Sequence, residues 1–309
     1  MDPIILPLRI ETIIGSFLAG KKESTQINYT RALSLWHGFL HGDRASQPVN
    51  WNILLSASPG QAKEFLYQVL QDKQPSTAHL YKVALKGLYA ELMAYGACGS
   101  NPFAHPIVTL PRGSARAKNP IPWMTPEDCR ALLGQLVCSA PIDCAIISLL
   151  LGGGLRRGEV LALTLDDVKE TVLSGSGERL VCLRLRTTKN GQTYDQILPG
   201  WASQYVRIYK AEALKNNPDN RLIPLSRRGL DWHFKALLRA AGISSDYSPH
   251  SCRKAAITRL LDQGYSHREV MRFSRHSSVS MVEYYDSKRF TEANHPGAKL
   301  NYKDDNENI

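Results

Sequence analysis

The sequence has 309 residues, with 38 Lys and Arg against 28 Asp and Glu and a formal net charge of +10. This length allows two domains with separate cores, and a charged fraction of only 21% excludes a globally disordered chain. The positive excess is divided about equally between residues 1–122 and the rest. It points to nucleic acid or an anionic surface as the partner, although many soluble proteins that bind neither are equally basic.

The N-terminus and the cysteines indicate the cellular compartment of the protein. Residues 1–7 lack the basic start and apolar core of a signal peptide, and no stretch approaches the roughly 20 apolar residues of a membrane span. The six cysteines form no CxxC pair and no cysteine–histidine cluster with zinc-ligand spacing. We therefore expect a soluble cytoplasmic protein with reduced thiols and no membrane partner.

Residues 9–97 carry apolar side chains at helical spacing and no strand pattern. Four amphipathic helices are predicted, each recognised by its apolar stripe. The stripes cover residues 10–17, 29–40, 65–70 and 80–95. Together they predict a small helical bundle over residues 1–100.

Residues 101–122 are rich in proline and in basic side chains and show no periodicity. This composition is typical of a linker. The segment contains Arg112, Arg116 and Lys118 but no acidic residue. It therefore either follows a phosphate backbone or is simply solvated.

A second domain is predicted over residues 123–295, followed by a flexible tail at 296–309. It begins with a helix start, in which Thr125 is the N-cap, Pro126 is the first helical residue and Asp128 supplies a carboxylate in the first turn. Further helical patterns extend to about residue 151 and from 156 to 163.

A β-hairpin is predicted in the middle of this domain. Residues 181–185 alternate between apolar and polar, the Lys189-Asn190-Gly191 turn follows, and residues 193–198 return as the partner strand. Helices are predicted beyond it at residues 230–241, 249–263 and 266–273, and from 280 onward.

Three separated segments of the second domain carry residue types that bind anions. The first contains Gly152, Gly153 and Gly154, which allow close approach by a ligand or a neighbouring helix. Arg156 follows them where a helix opens, without the Lys-Ser/Thr end of a phosphate-binding P-loop. Glu159, three residues later, either braces the guanidinium from behind or pairs with it at the surface.

The second segment is Ser248-Pro249-His250-Ser251-Cys252-Arg253. Ser248 is a candidate N-cap and Pro249 a first helical residue, so His250 and Arg253 lie on one face of the opening turn. A helix N-terminus with an imidazole and a guanidinium is suited to binding an anion. A surface helix with ordinary polar residues would give the same pattern.

The third segment runs from His276 to Tyr285. Taken together, the three segments resemble the motifs of the tyrosine site-specific recombinases of the phage-integrase and Xer type. The resemblance is carried by Gly154-Leu155-Arg156-x-x-Glu159, by His250-x-x-Arg253, and by a histidine followed nine residues later by a tyrosine. It covers the whole second domain in the family's order and separations, and the helical bundle and basic linker are similar too.

The resemblance implies a fold class that is mainly α with a small antiparallel β-sheet (α+β). A helical core-binding (SAM-like) domain at residues 1–100 and a catalytic domain at 123–295 would form a clamp around DNA. Basic residues of the bundle and the linker are candidate phosphate contacts, although a solvated role is equally compatible. They are Arg31, Lys82, Lys86, Arg112, Arg116 and Lys118.

The resemblance also implies how the scissile phosphate is bound. Arg156 and Arg253 would hold its non-bridging oxygens, with Glu159 supporting Arg156 from behind. His250 would act beside them as a proton acceptor or a second donor. His276 would donate another hydrogen bond to the phosphate.

Tyr285 and Lys189 would carry out the bond exchange that the resemblance implies. Tyr285 would attack phosphorus and form a 3′-phosphotyrosyl link, while Lys189 would protonate the departing 5′-oxygen; a solvated turn lysine is the alternative for Lys189. Because a free tyrosine has a pKa near ~10, a base and concentrated positive charge must favour its ionised form. Because the phosphotyrosyl link conserves the bond, no metal or nucleotide cofactor is expected.

Two local features make the third segment ambiguous. Tyr284 precedes Tyr285, and since consecutive helical residues point about 100° apart, we expect Tyr284 to pack elsewhere or to face solvent. The family usually has Leu-Gly-His where this chain has Ser274-Arg275-His276. The missing glycine puts the local turn in question, although His276 keeps its spacing to the tyrosine.

The implied function is site-specific recombination of double-stranded DNA at a short inverted-repeat core site. A homotetramer on two sites would exchange strands through a Holliday junction, with accessory DNA-bending proteins or a partner recombinase as further candidates. Integration or excision of a mobile element and resolution of DNA multimers both fit. A catalytically silent DNA-binding regulator of the same fold and a type IB topoisomerase-like relaxing enzyme are the alternatives.

Overall fold

The computed structural model describes residues 5–42, 51–110, 124–186, 192–216 and 219–286. The chain divides into two compact units, Met1–Asn119 and Pro120–Ile309, each with its own buried apolar residues. Arg112, Arg116, Lys118 and Lys189 lie outside the described residues, so their roles stay predictions. None of the described helices is both long and apolar enough to cross a membrane.

The described part of the first unit is helical. Its helices are α1 (Ile5–Ala19), α2 (Glu23–His41), α3 (Trp51–Leu55), α4 (Pro59–Asp72) and α5 (Pro75–Ala94). Four of them lie where the apolar stripes predicted helices. Helix α3 was not predicted, because five residues are too few to show a helical period.

Trp36 lies at the centre of the first unit's core. It is fully buried, with the rings of Phe65 and Phe103 edge-on at centroid distances of 5.1 and 5.0 Å. Its indole N–H donates to the Tyr89 hydroxyl at 3.0 Å, and that hydroxyl donates to the Leu54 carbonyl at 2.5 Å. The polar atoms of these buried side chains are therefore paired, and the bond to Leu54 fixes α3 on the core.

The beginning of the predicted linker is part of this core instead. Phe103 is 0% exposed, within a short 3₁₀ turn at Pro102–Ala104, and Val108 is also buried. The Lys82 ammonium donates to the Val108 carbonyl, and the Asn101 amide donates to the Lys86 carbonyl at 2.8 Å. Proline-rich composition predicted a linker from residue 101, either along a phosphate backbone or solvated. Pro102, Phe103 and Val108 are instead buried on this unit, whereas residues 104–107 between them are exposed.

The candidate phosphate contacts of this unit differ in their surroundings. Lys82 is half-buried with its amine bonded to Val108, and burial followed by the charge of Lys86 lowers the pKa of Lys82. Lys86 and Arg31 are exposed. The last two are therefore better placed than Lys82 to contact DNA.

The second unit contains a three-stranded antiparallel sheet in the order β1-β2-β3. The strands are β1 (Val168–Val172), β2 (Arg179–Leu185) and β3 (Tyr194–Ile197). Strands β2 and β3 pair as the predicted hairpin, with Leu185 opposite Tyr194. Strand β1 was not predicted, because its central residues are polar and give no alternation. A mainly α fold with a small antiparallel sheet is thus confirmed.

Helices precede and follow these three strands along the chain. They are α6 (Pro126–Gln135), α7 (Pro141–Ile147), α8 (Arg157–Ala162), α9 (Gly200–Asn216), α10 (Arg227–Ala240), α11 (Pro249–Asp262), α12 (His267–Ser274) and α13 (Ser280–Asp286). The helix start at Thr125 is confirmed, since its side chain forms a capping box with Asp128. Helix α9 was not predicted, although Ala202, Val206, Tyr209 and Ala213 repeat at helical spacing on its buried face.

Candidate active site

The predicted catalytic side chains of the second unit converge from separate helices. Arg156 is the N-cap of α8, and His250 and Arg253 lie on the first turn of α11. His276 directly follows the C-cap of α12, and Tyr285 lies on α13. Five of the six predicted catalytic residues therefore lie within the described part of the chain and face a common region, and Lys189 lies outside it.

The triple glycine before Arg156 permits close packing against protein. A Cβ at Gly152 would lie 2.7 Å from the Cβ of Ala202 on α9, and one at Gly154 would lie 2.6 Å from the Phe273 ring. Gly154 also has a φ of 57°, a left-handed conformation that favours glycine. Of the two possibilities left open by the sequence, the close approach is therefore by neighbouring helices.

Gly154→Ala is expected to lower the free energy of unfolding by about 2 kcal/mol or more, from the left-handed φ and from overpacking against Phe273. Chemical denaturation followed by circular dichroism measures this change. Gly158→Ala is the matched control, because Gly158 is exposed on α8 and a Cβ added there would meet no other atom. Unchanged stability of the Gly154 variant would contradict the close packing.

Glu159 braces Arg156 from the protein interior. One carboxylate oxygen accepts the Arg156 backbone N–H at 2.8 Å, and the other accepts a guanidinium N–H at 2.7 Å. The Glu159 side chain is 4% exposed and the Arg156 side chain 26%. Burial alone would raise the pKa of Glu159, but the charge of Arg275 and the contacts with Arg156 outweigh it and lower this pKa. Glu159 is therefore an ionised buried support and not a surface partner.

Arg253 is a buried cation without a carboxylate partner among the described residues. It is 0% exposed, and its guanidinium donates to the Gly154 carbonyl at 2.5 Å and to the Ser274 carbonyl. Burial, followed by the charges of Arg156 and Arg275, lowers its pKa to about 9. Its Nε is buried and lacks a partner within the described ranges. Because an unpaired buried charge is costly, this arrangement favours an anion at the site.

His276 is held in its neutral form by its surroundings. Burial, followed by the positive charges of Arg253 and Arg156, lowers its pKa to about 4. Nδ1 lies 2.9 Å from the Ser274 hydroxyl, and Nε2 lies 3.5 Å from an Arg253 nitrogen. With Arg253 as donor, the ring proton sits on Nδ1. A bound phosphate would favour the other tautomer, in which Nε2–H donates to the phosphate and Ser274 donates to Nδ1.

His276 should make the second unit sensitive to acid between about pH 6.5 and pH 4, because its pKa falls from 6.5 to about 4 on folding. In this window the unfolded chain binds a proton that the folded chain does not, so stability is lost as the pH falls. We expect a loss on the order of 2 kcal/mol, measured by denaturation at pH 7 and pH 4.5. His276→Gln should reduce the loss and the exposed His105→Gln should not; equal losses in both variants would refute this assignment.

His250 differs from His276 in being exposed. Its ring is nevertheless partly desolvated, and this, followed by the charges of Arg253, Lys254 and Arg156, lowers its pKa. A neutral imidazole at the edge of the cationic cluster is able to accept a proton.

The two adjacent tyrosines point in different directions, as predicted. Tyr285 is buried, and its ring stacks on His276 at a centroid distance of 5.8 Å with an interplanar angle of 16°. Burial raises the pKa of Tyr285, whereas Arg253 and Arg156 oppose this change. Tyr284 is 48% exposed. Tyr285 therefore lies buried against His276, whereas about half of Tyr284 is exposed.

Arg275 keeps the turn that the missing glycine put in question. Its φ of 55° is left-handed, and its backbone N–H caps α12 by donating to the carbonyls of Arg272 and Met271. The side chains of Arg275, Ser274 and Gln196 were not singled out from the sequence. The signal for the first two was their polar character where the family has Leu-Gly.

Comparisons with known proteins point to one protein family. Residues 122–292 match the model of the phage integrase family. The tyrosine recombinase XerD of Pseudomonas putida is 28% identical over 282 residues, which cover 86% of this chain and 87% of the relative. The XerD of Lacticaseibacillus casei is 24% identical over 282 residues, covering 86% of this chain and 88% of the relative.

Solved structures share the fold. A lambda integrase(75–356) dimer bound to a COC′ core site has a TM-score of 0.65 at 18% identity, covering 94% of this chain and 96% of that one. The XerH recombinase bound to a palindromic difH substrate, in a post-cleavage complex, has a TM-score of 0.69 at 17% identity, covering 89% of this chain and 78% of that one. Since the family model matches more than half of the sequence, the chain belongs to the phage integrase family and is a tyrosine site-specific recombinase, an enzyme that breaks and rejoins DNA strands.

Proposed function

We propose that this recombinase cuts each DNA strand with Tyr285 and exchanges strands through a Holliday junction. The observation that carries the proposal is the guanidinium of Arg253, which is buried without a carboxylate partner among the described residues and lies 3.5 Å from His276, whose ring in turn stacks on Tyr285. A cation, a neutral imidazole and a phenol in contact are the groups that attack on a phosphodiester needs.

The scissile phosphate binds between Arg156 and Arg253 in this proposal. Arg156 keeps part of its guanidinium exposed, and Arg253 supplies a buried charge that DNA would compensate. Both arginines stabilise the negative charge that gathers on the phosphate oxygens in the transition state. His276 donates from Nε2 to one of these oxygens.

The bond exchange is balanced without an external reagent. The Tyr285 oxygen bonds to phosphorus as its proton passes to His250, and the bond to the 5′-oxygen breaks. Lys189 protonates this oxygen, which leaves a 3′-phosphotyrosyl link and a free 5′-hydroxyl. The reverse attack by a 5′-hydroxyl releases the tyrosine, so we propose that neither metal nor nucleotide is needed.

The proposed substrate is double-stranded DNA with a short inverted-repeat core site. The lambda integrase dimer bound to a core site and XerH bound to a palindromic substrate support one protomer on each half-site. Two such dimers would form the homotetramer that exchanges strands, in the cytoplasm and with accessory DNA-bending or partner recombinase proteins where a site requires them. Integration or excision of a mobile element and resolution of DNA multimers remain the two candidate roles.

Sequencing of covalently captured DNA from host cells tests the proposal and separates these roles. We expect adducts at one short inverted-repeat site. A site bordering a mobile element would indicate integration or excision, and one near the chromosome terminus would indicate multimer resolution. Adducts scattered over arbitrary sequences, with relaxation of any supercoiled plasmid, would instead favour a type IB topoisomerase-like enzyme.

A further inference from the structure

Arg275 is an arginine in a position and an environment that are both unusual for this side chain. Its backbone adopts the left-handed conformation that ends α12, where glycine is common and where the resembling family usually has one. Its side chain is 1% exposed. A charged residue is rarely buried unless its hydrogen bonds are made, so the contacts of Arg275 indicate what it does.

The terminal nitrogens of Arg275 are fully occupied by protein acceptors. Nη1 donates to the Gln196 side-chain carbonyl and to the Phe273 carbonyl at 2.7 Å. Nη2 donates to the Gly154 carbonyl at 3.1 Å and to the Glu159 carboxylate at 2.9 Å. A guanidinium has two N–H groups on each terminal nitrogen, so none of the four remains for a DNA phosphate. The fifth N–H group, on Nε, has no partner among the described residues but is buried in a side chain that is only 1% exposed, so Arg275 acts through its protein partners.

Two of these partners also hold the phosphate-binding arginines. The Glu159 oxygen that accepts from Arg275 also accepts the Arg156 backbone N–H at 2.8 Å. The Gly154 carbonyl that accepts from Arg275 also accepts from Arg253 at 2.5 Å. Arg156 in turn donates to the backbone carbonyl of Arg275 at 3.4 Å. The Arg275 side chain is thus hydrogen-bonded both to Glu159, which holds Arg156, and to the Gly154 carbonyl, which holds Arg253.

The sharing of the Glu159 charge between two arginines affects how strongly Arg156 can bind a phosphate. Glu159 would neutralise Arg156 if the two formed an isolated pair, but Arg275 shares the carboxylate. More positive charge therefore remains at the partly exposed guanidinium of Arg156 for an incoming phosphate. Arg275 also links the cluster to Gln196 on β3, so the arginines are fixed against the sheet.

We propose that Arg275 is a positioning residue for DNA cleavage, which orients Glu159 and the Gly154 carbonyl and thereby fixes Arg156 and Arg253 for the phosphate. This inference rests on the proposed function of those arginines. Displacing a catalytic group by about 1 Å can cost about 100-fold in rate, so the loss of Arg275 is expected to slow cleavage by tenfold or more.

The test measures single-turnover cleavage of a nicked core-site DNA that traps the phosphotyrosyl adduct. Arg275→Gly keeps the left-handed turn and removes the guanidinium, so α12 should still end correctly. We expect it to cleave about tenfold or more slowly than wild type at saturating DNA, with DNA affinity unchanged. Arg275→Lys restores charge but not the planar fork and should recover only part of the rate.

Glu159→Gln separates positioning from a purely structural role. If Arg275 acts through the carboxylate, Arg275→Gly should cost much less in the Glu159→Gln background than in the wild-type background. An equal loss in both backgrounds, or cleavage by Arg275→Gly within about twofold of wild type, would overturn the inference. If Arg275→Gly does not fold, the same comparison with Arg275→Lys decides. If the wild-type protein forms no adduct, the proposed function is overturned, and the positioning role with it. If wild type and Arg275→Gly form adducts at the same rate, only the positioning role is overturned.

Discussion

Tyr285→Phe is expected to abolish the covalent protein–DNA adduct while leaving DNA affinity within about twofold of wild type, because a single hydroxyl is lost. The phenyl ring retains its packing on His276, so the site should keep its shape. Adducts formed on a nicked core-site DNA and resolved on a denaturing gel measure cleavage, and a gel shift measures affinity.

Tyr284→Phe is the matched control for this experiment. The two tyrosines are adjacent, but Tyr284 is 48% exposed, whereas Tyr285 is buried and stacks on His276. The control should form adducts at the wild-type rate. If Tyr284→Phe lost the adduct and Tyr285→Phe retained it, the assignment of the nucleophile would be reversed.

Arg253→Met is expected to slow cleavage by about 100- to 1000-fold, because a preplaced donor to the transition state is removed. The same change should not lower the free energy of unfolding of the DNA-free protein. Arg253 is buried without a carboxylate partner in the described part of the chain, and a buried charge is often replaced by an apolar side chain without loss of stability.

We therefore expect Arg253→Met to lower the cleavage rate without lowering the stability, and each quantity has its own measurement. Cleavage is followed with the nicked substrate, and stability by urea denaturation without DNA. Arg259→Met, at an exposed position of the same helix, should change neither quantity appreciably. A strongly destabilised Arg253→Met would mean that its bonds to the Gly154 and Ser274 carbonyls outweigh the cost of the buried charge.

The sequence predicted the elements whose apolar residues are large and regularly spaced. The stripe from Phe65 to Leu70 marked α4, and the Thr125 cap marked α6, because both signals are local. Strand β1 lacks such a signal, since it is polar at its centre, whereas the buried face of α9 does repeat at helical spacing and was overlooked. The conformation of β1 depends on its pairing with β2, which a local pattern does not contain.

The candidate site shows the same division. The contact between Glu159 and Arg156 was among the possibilities that their spacing indicated, because residues three apart on a helix are neighbours. The burial of Arg275 was not predictable in this way. Charged side chains usually lie at the surface and left-handed caps usually contain glycine, so two general tendencies both argue against what Arg275 does.

The burial of Phe103 determines where this chain can be divided for domain exchange with its relatives. A chimaera joined at residue 100 would separate Phe103 from the Trp36 and Phe65 rings that it contacts. Residues 1–100 would then lack Phe103 from their hydrophobic core, and the part that begins at residue 101 would carry Phe103 without the rings that cover it. A junction after residue 110 keeps these rings together, so the helical unit should be exchanged with the segment up to residue 110 intact.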